Sequence, residues 1–419
     1  MIRHVVLWLV LFVVLAGSGC SSKPPEADEI AVKALHEPVL ENIAVEILHE
    51  PTLEYRYVQS FKEGFAAVGN LSVRMEGTDI GYIDKSGNVV IPTEHYYVYW
   101  AFQDGGKARN YSEGLVAVSV GDGDWRERKW GYKDKAGRVT IPFEYNGADD
   151  FSEGLAAVGD GETGKSGFID KTGKVVIPFE YDYVRSFSEG LAAARLGDWK
   201  TGKWGFIDKT GRVVIPFEYD NDNKNGRFSY IFSEGLASVY KTGQGWGYID
   251  KTGKVVIPFE YSGVGAFSEG MACVSYDADY SGKFGVINTD GKLVIPAIYD
   301  NEPYYDVHGD FFFLPGFSEG LLRVSRLIDA KNSIYDAGYI DKTGETIIPF
   351  GGAAFSEGLA AVSRGNRETG FQWGYIDKTG KTVVPFEYDS AQSFSEGLAW
   401  VQKNGKWGIL AISAKSNQR

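Results

Sequence analysis

The chain is 419 residues long with 43% hydrophobic and 14% aromatic residues, which supplies a large core and excludes a chain disordered by composition. Its formal net charge of −13 speaks against a nucleic-acid backbone or an anionic membrane surface as the main partner, since either calls for a basic face. Two cysteines, Cys20 and Cys273, exclude a disulfide framework, and 53 glycines against three methionines point to short strands joined by tight turns.

In chain order, Arg3 precedes an apolar stretch from Val5 to Ala16 and then Gly17-Ser18-Gly19-Cys20. A positive residue, an apolar core and small residues before a cleavage point are the three parts of a secretory signal, predicted here over residues 1–19. The apolar run is shorter than the roughly 20 residues a membrane-spanning helix needs. Cys20 after small residues resembles a bacterial lipobox, with a departure at Gly17, where Leu is usual. That resemblance implies that the Cys20 thiol is acylated and becomes a new N-terminus, anchored to a membrane on its extracytoplasmic side. Residues 20–55 then form a lipidated start, a polar tether through Ser21-Ser22-Lys23-Pro24-Pro25-Glu26, and a possible strand within Asn42 to Leu48. A short duplication, Leu35-His36-Glu37-Pro38 and Leu48-His49-Glu50-Pro51, excludes a long helix there, because each copy holds a proline.

From residue 56 to 412 one pattern dominates, followed by a polar tail over 413–419. A clean copy runs Phe151-Ser152-Glu153-Gly154-Leu155-Ala156-Ala157-Val158, then Gly167-Phe168-Ile169-Asp170-Lys171-Thr172-Gly173, then Lys174-Val175-Val176-Ile177-Pro178-Phe179-Glu180-Tyr181. The aromatic-x-Glu-Gly opening recurs with its glutamate at 63, 113, 153, 189, 234, 269, 319, 357 and 396, a period of about 42 residues. Leu-Ala-Ala-Val reads as a short strand for a crowded place. Trp-Gly-Tyr-Ile-Asp, as at Trp246 to Asp250, reads as a second strand whose glycine permits close backbone approach or a bulge. Asp-Lys-Thr-Gly is a hairpin turn with its glycine at positive φ, and Val-Val-Ile is a third strand stopped by proline. Tyr181 to Phe187 offers a short fourth strand. The predicted fold is all-β: about nine tandem antiparallel meanders, in a propeller-like ring slightly favoured over an open β-solenoid. The ninth unit ends at Ile412 without its third strand, and Ile43 to Leu48 is placed to supply it.

Lys129-Trp130-Gly131-Tyr132, Lys203-Trp204-Gly205-Phe206 and Lys406-Trp407-Gly408 resemble the signature of the bacterial WG-containing repeat, as does Ile-Asp-Lys-Thr-Gly-Lys-Val-Val-Ile-Pro. Ile80, Ser166, Phe284 and Ala337 depart from it at the tryptophan position. The resemblance implies secreted or envelope-associated β-repeat proteins with no common enzymatic activity.

Candidate chemistry is sparse. Gly159-Asp160-Gly161-Glu162-Thr163-Gly164-Lys165-Ser166 matches a phosphate-binding loop, but a predicted strand rather than a helix follows it, so nucleotide binding is not expected. Asp220 to Gly226 suggests a calcium loop, yet its ligand positions fall on Asn221, Asn223 and Asn225 and the bidentate glutamate is replaced by Phe232. His36, His49, His95 and His308 are scattered, and Cys273 reads as a small buried residue, so no metal or cofactor is expected. Asp170 and Glu153 recur in unit after unit, which suits folding better than a single catalytic event; Glu153 and its equivalents are expected to bond turn N–H groups.

Two long intervals between units carry aromatic inserts: Tyr96, Tyr97, Tyr99 and Trp100 in one, Tyr304, Tyr305, Phe311, Phe312 and Phe313 in the other. They are the candidate ligand-binding residues, with a lid packed on the array as the plainer reading. The expected function is a membrane-tethered envelope lipoprotein acting as a binding or scaffold module for a protein or glycan partner. The alternative is a glycan-processing or cell-wall-acting enzyme with its site in the inserts.

Overall fold

The computed structural model describes residues 43–71, 78–93, 97–98, 108–121, 128–221, 230–276, 283–300, 314–329, 334–366 and 370–414. Cys20 and the predicted signal and tether up to residue 42 lie outside them. The described strands form nine separate antiparallel sheets, the blades of a propeller, numbered here first to ninth in chain order. The third blade shows the plan: a two-residue inner strand Gly147–Ala148, a second strand Leu155–Gly159, a third Ser166–Asp170 and an outer strand Val175–Tyr181. The short fourth strand expected after Tyr181 is present at Tyr183–Val184, but it pairs with Leu191–Leu196 and so opens the next blade rather than closing its own.

Each stretch of the repeat has a physical reason to sit where it does. Both faces of the second strand are covered by neighbouring blades: Ala156 packs toward the second blade, Leu155 and Ala157 toward the fourth. An uninterrupted run of small apolar residues is what such a site admits. The outer strand is half exposed, with only Ile177 and Tyr181 buried, and carries Pro178 on its free edge, which blunts edge-to-edge pairing. Between third and outer strands the register slips, so that Phe168 pairs with Ile177 but Ser166 with Tyr181. Gly167 lies in that bulge. A Cβ there would stand 2.5 Å from the Ile177 carbonyl oxygen and 2.8 Å from that of Pro178, so only glycine fits.

The ring closes through the strand Ile43–Leu53, which pairs with Lys406–Ala414 as the outer strand of the ninth blade. It runs further than the expected Ile43 to Leu48. His49 takes the register place of Ile177 and Leu53 that of Tyr181, and a Cβ on Gly408 would meet the His49 oxygen at 2.7 Å. The second copy of the short duplication is thus the missing outer strand in disguise. On the other side, the ninth blade shares a core with the first: Phe61, Val68 and Ile83 pack with Leu398, Trp400 and Trp407. An open solenoid would leave that core exposed.

Candidate functional site

The Ser-Glu-Gly segment between inner and second strands is a two-residue hairpin. In the third blade Ser152 and Leu155 exchange both backbone hydrogen bonds around Glu153 (φ 53°) and Gly154 (φ 89°). Positive φ at both central residues is the type I′ turn, which ordinarily selects Asn-Gly or Asp-Gly. All nine repeat glutamates adopt this conformation, with φ between 52° and 55°.

The reason for glutamate lies in the next blade. Glu63 accepts from the Gly114 N–H, Glu113 from Gly154, Glu153 from Gly190, Glu189 from Gly235, Glu234 from Gly270, Glu269 from Gly320, Glu319 from Gly358, Glu357 from Gly397 and Glu396 from Gly64, at 2.8–3.1 Å. The expectation that these carboxylates bond turn N–H groups is met, but the turn belongs to the following blade and the series is cyclic. Eight of the nine links also draw on serine: Ser152 Oγ donates to the Phe187 carbonyl at 2.7 Å and Ser395 Oγ to that of Phe61 at 2.7 Å. In the first blade Lys62 stands at the serine position. One glutamate side chain, one hydrogen bond and the peptide link back to the next glutamate span at most about 10 Å, so nine such steps confine these turns to a circle of roughly 15 Å radius or less. They rim the central channel at one face of the ring.

The lysine of the Asp-Lys-Thr-Gly turn completes seven of the nine junctions from the same face. Lys85–Glu396, Lys135–Glu63, Lys171–Glu113, Lys209–Glu153, Lys251–Glu189, Lys342–Glu269 and Lys378–Glu319 are 2.9–3.1 Å apart. Two junctions differ. Thr289 occupies the lysine's place opposite Glu234, and the ninth blade has no such turn to offer Glu357, because its outer strand comes from the other end of the described chain. Burial alone would raise the carboxyl groups of Glu63, Glu113, Glu189 and Glu396. Their lysines and backbone N–H donors outweigh it and hold them below the ordinary carboxylate value.

Below the rim, the residues just before each aromatic of the repeat form the channel wall. From the ninth blade through the first to the third they are linked side by side. Gln392 Nε2 donates to the Val58 oxygen at 3.0 Å, Gln59 Nε2 to Asn110 Oδ1 at 3.0 Å, and the Arg109 guanidinium meets Asp149 at 2.6 Å. Burial pushes the neighbouring Asp150 carboxyl up against the pull of Arg109 and Lys62.

The other sequence candidates fall as follows. The phosphate-loop match is a hairpin between Leu155–Gly159 and Ser166–Asp170, with Lys165 held by Asp182 at 2.6 Å. Of the calcium-loop candidates, Asp220 pairs with Lys203 and Asn221 accepts from Trp204 Nε1 at 2.8 Å; Asn223 and Asn225 lie outside the described residues. Among the described residues there is no group of three metal-ligating side chains. Cys273 is buried at 1% exposure and its thiol is pushed up by desolvation. Trp204 and Trp246 are core residues, at 2% and 3% exposure. Of the insert candidates, Tyr97 lies on an added strand, Tyr97–Val98, that pairs with Thr78–Asp84. Tyr96, Tyr99, Trp100, Tyr304, Tyr305, Phe311, Phe312 and Phe313 lie outside the described residues. Sequence reasoning missed the type I′ turn and the inter-blade reach of its glutamate; the invariance of Glu where Asn-Gly would serve the turn was the available signal.

The family pattern described as a WG containing repeat matches residues 80–123, 130–162, 167–198, 204–244, 246–280, 284–312, 338–367 and 373–407, well over half of the chain. Among solved structures, one described as that of the eukaryotic initiation factor is 11% identical with a TM-score of 0.51, covering 88% of this chain and 92% of that one. BamB from Moraxella catarrhalis is 9% identical with a TM-score of 0.39, covering 90% and 98%. A comparison with curated proteins gives no match.

Proposed function

Because the chain belongs to the WG containing repeat family, we propose that it is a binding or scaffold module, held in the cell envelope by a lipid on Cys20, with its partner-binding groups in the two aromatic inserts. The observation that carries this reading is the use to which the repeated polar groups are put. The glutamates, turn lysines and serines hold one blade to the next, which leaves recognition to what varies between units. Each insert follows the outer strand of one blade and precedes the start of the next, and the described strand ends that flank it are on the face opposite the glutamate rim, since strand direction alternates across a meander. The described chain enters the ring on the other face, where Ile43 pairs with Ala414 beside the Gly397 turn. A protein or glycan partner fits aromatic loops. A glycan-processing enzyme with its site in the inserts remains the second reading.

Two experiments test this. Changing Cys20→Ser should release the protein from the membrane fraction or leave it unprocessed; a variant that stays membrane-bound with a normally processed N-terminus overturns the anchor. Deleting residues 303–313 should abolish partner capture in cross-linked cells and leave the melting temperature nearly unchanged. Leu314 must be kept, since it is buried with Phe317 in the core between the sixth and seventh blades. Release of sugars from peptidoglycan or a common polysaccharide by the purified protein would favour the enzyme.

A further inference from the structure

The channel wall has a second half, unlike the first. In the fifth to eighth blades the residue before the repeat aromatic is Ile231, Ala266, Gly316 or Ala354, and all four are exposed, Ile231 at 40%. The residue before each of these is Tyr230, Gly265, Pro315 or Ala353. In the other five blades both positions are polar without exception, from Gln392-Ser393 round to Arg185-Ser186. Since these blades are consecutive, the wall divides into one polar arc and one apolar arc, facing each other across the axis.

The division has no counterpart in the glutamate and serine stitching of the blades. The glutamate links run through both arcs alike, and the serine donors are present at Ser233, Ser268, Ser318 and Ser356 in the apolar arc as well. The first position of the apolar arc is partly core, with Tyr230 buried between Trp204 and Trp246 and Gly265 buried as well, but the second position faces open space. A Cβ on Gly316 would find its nearest neighbour at 3.7 Å. Exposed apolar residues gathered on one side of a channel, opposite hydrogen-bonding groups, match a ligand that is itself two-sided.

We propose that the central channel takes up a single polypeptide segment of a partner, with its apolar side against the fifth to eighth blades and its polar side against the remaining five. A backbone circle of roughly 15 Å radius or less, narrowed by the side chains of the wall, matches one segment better than a folded domain, since a helix with its side chains is about 10–12 Å across. Small residues on the apolar arc leave room there for the larger apolar side chains of the guest. This site is separate from the aromatic inserts and does not rest on them or on the lipid anchor.

Fluorescence anisotropy with labelled model peptides tests it. One probe alternates Leu with Ser, one places the same residues at helical spacing, and a third has the same composition with no sided pattern. One of the two sided probes should bind at least tenfold more tightly than the third. The double variant A266W/A354W, which fills the exposed apolar side, should lose that binding at least tenfold, as should A266D, which places a charge on the apolar arc with little added bulk. V175W on the outer strand and deletion of residues 303–313 should leave it unchanged. Absence of binding by both sided probes, equal binding of the third, or insensitivity to both Ala266 variants overturns the proposal.

Discussion

At residue scale, glutamate is an unfavourable occupant of a left-handed turn position, yet it appears at all nine. Its two methylenes carry the carboxylate to the next blade, which the shorter Asn or Asp does not reach. Changing Glu153→Asn should therefore improve the local turn and still lower stability, by about 1–2 kcal/mol, because a charge-assisted bond to a half-buried N–H is lost. A thermal melt that is unchanged or raised would place the energy in the turn instead. Glycine makes two different demands. Gly173 needs positive φ (85°), so Gly173→Val should cost more than about 1 kcal/mol, while Thr172→Val loses only an exposed hydroxyl bond to Asp170 and should cost less. Gly167 needs empty space, so even Gly167→Ala should destabilise by several kcal/mol, roughly 2–4, against the bulged outer strand.

At the scale of elements, the closing strand decides whether the array is a ring. Without Ile43–Leu53 the third strand of the ninth blade has a bare edge and Leu410 loses Ile43 and Val45 as cover. A chain lacking residues 43–53 should melt at markedly lower temperature and aggregate through that edge. Because Ile43 and Ala414 are register partners, a short Asp-Lys-Thr-Gly link between them would close the two strands into a hairpin, three residues beyond the place of the turn in the other blades. A permutant so joined, with new ends at the hairpin between Leu71 and Thr78, should fold with the far-ultraviolet spectrum of the parent. An unfolded permutant would show that the closing strand must be covalently free.

For the whole molecule, ring stability depends on ionised carboxylates. Glu63, Glu113, Glu189 and Glu396 titrate below their ordinary value of 4.5 in the folded ring. The unfolded chain therefore binds more protons than the ring as pH falls past that value. Their contribution is fully present above about pH 4.5 and is lost as pH drops through the lowered folded values. Urea midpoints measured from pH 7 to 3 should fall most steeply below about 4.5, and the fall should be smaller in a variant with Glu63 and Glu396 changed to Gln. At pH 7 added salt should weaken the ring modestly, since the paired lysines are about half exposed and screened.

The all-β class, the nine units, the hairpin glycines and the phase offset that closes the ring are local or periodic properties, legible in residues such as Gly173, Pro178 and the missing strand after Ile412. Period and turn chemistry are written along the chain, so sequence alone determined them. What only the tertiary structure decided concerns neighbours distant in sequence. Glu153 reads as a turn residue until Gly190 is beside it, and Gly167 as a place of close approach or a bulge whose partner, the Ile177 carbonyl, only the fold supplies. His49 and Leu53 do not resemble Ile177 and Tyr181, and only the register with Ile409 and Trp407 makes them equivalent. The two arcs of the channel wall became visible in the same way. Residues such as Gln59 and Ala354 are inconspicuous in their own units and acquire meaning when nine blades set them around one axis.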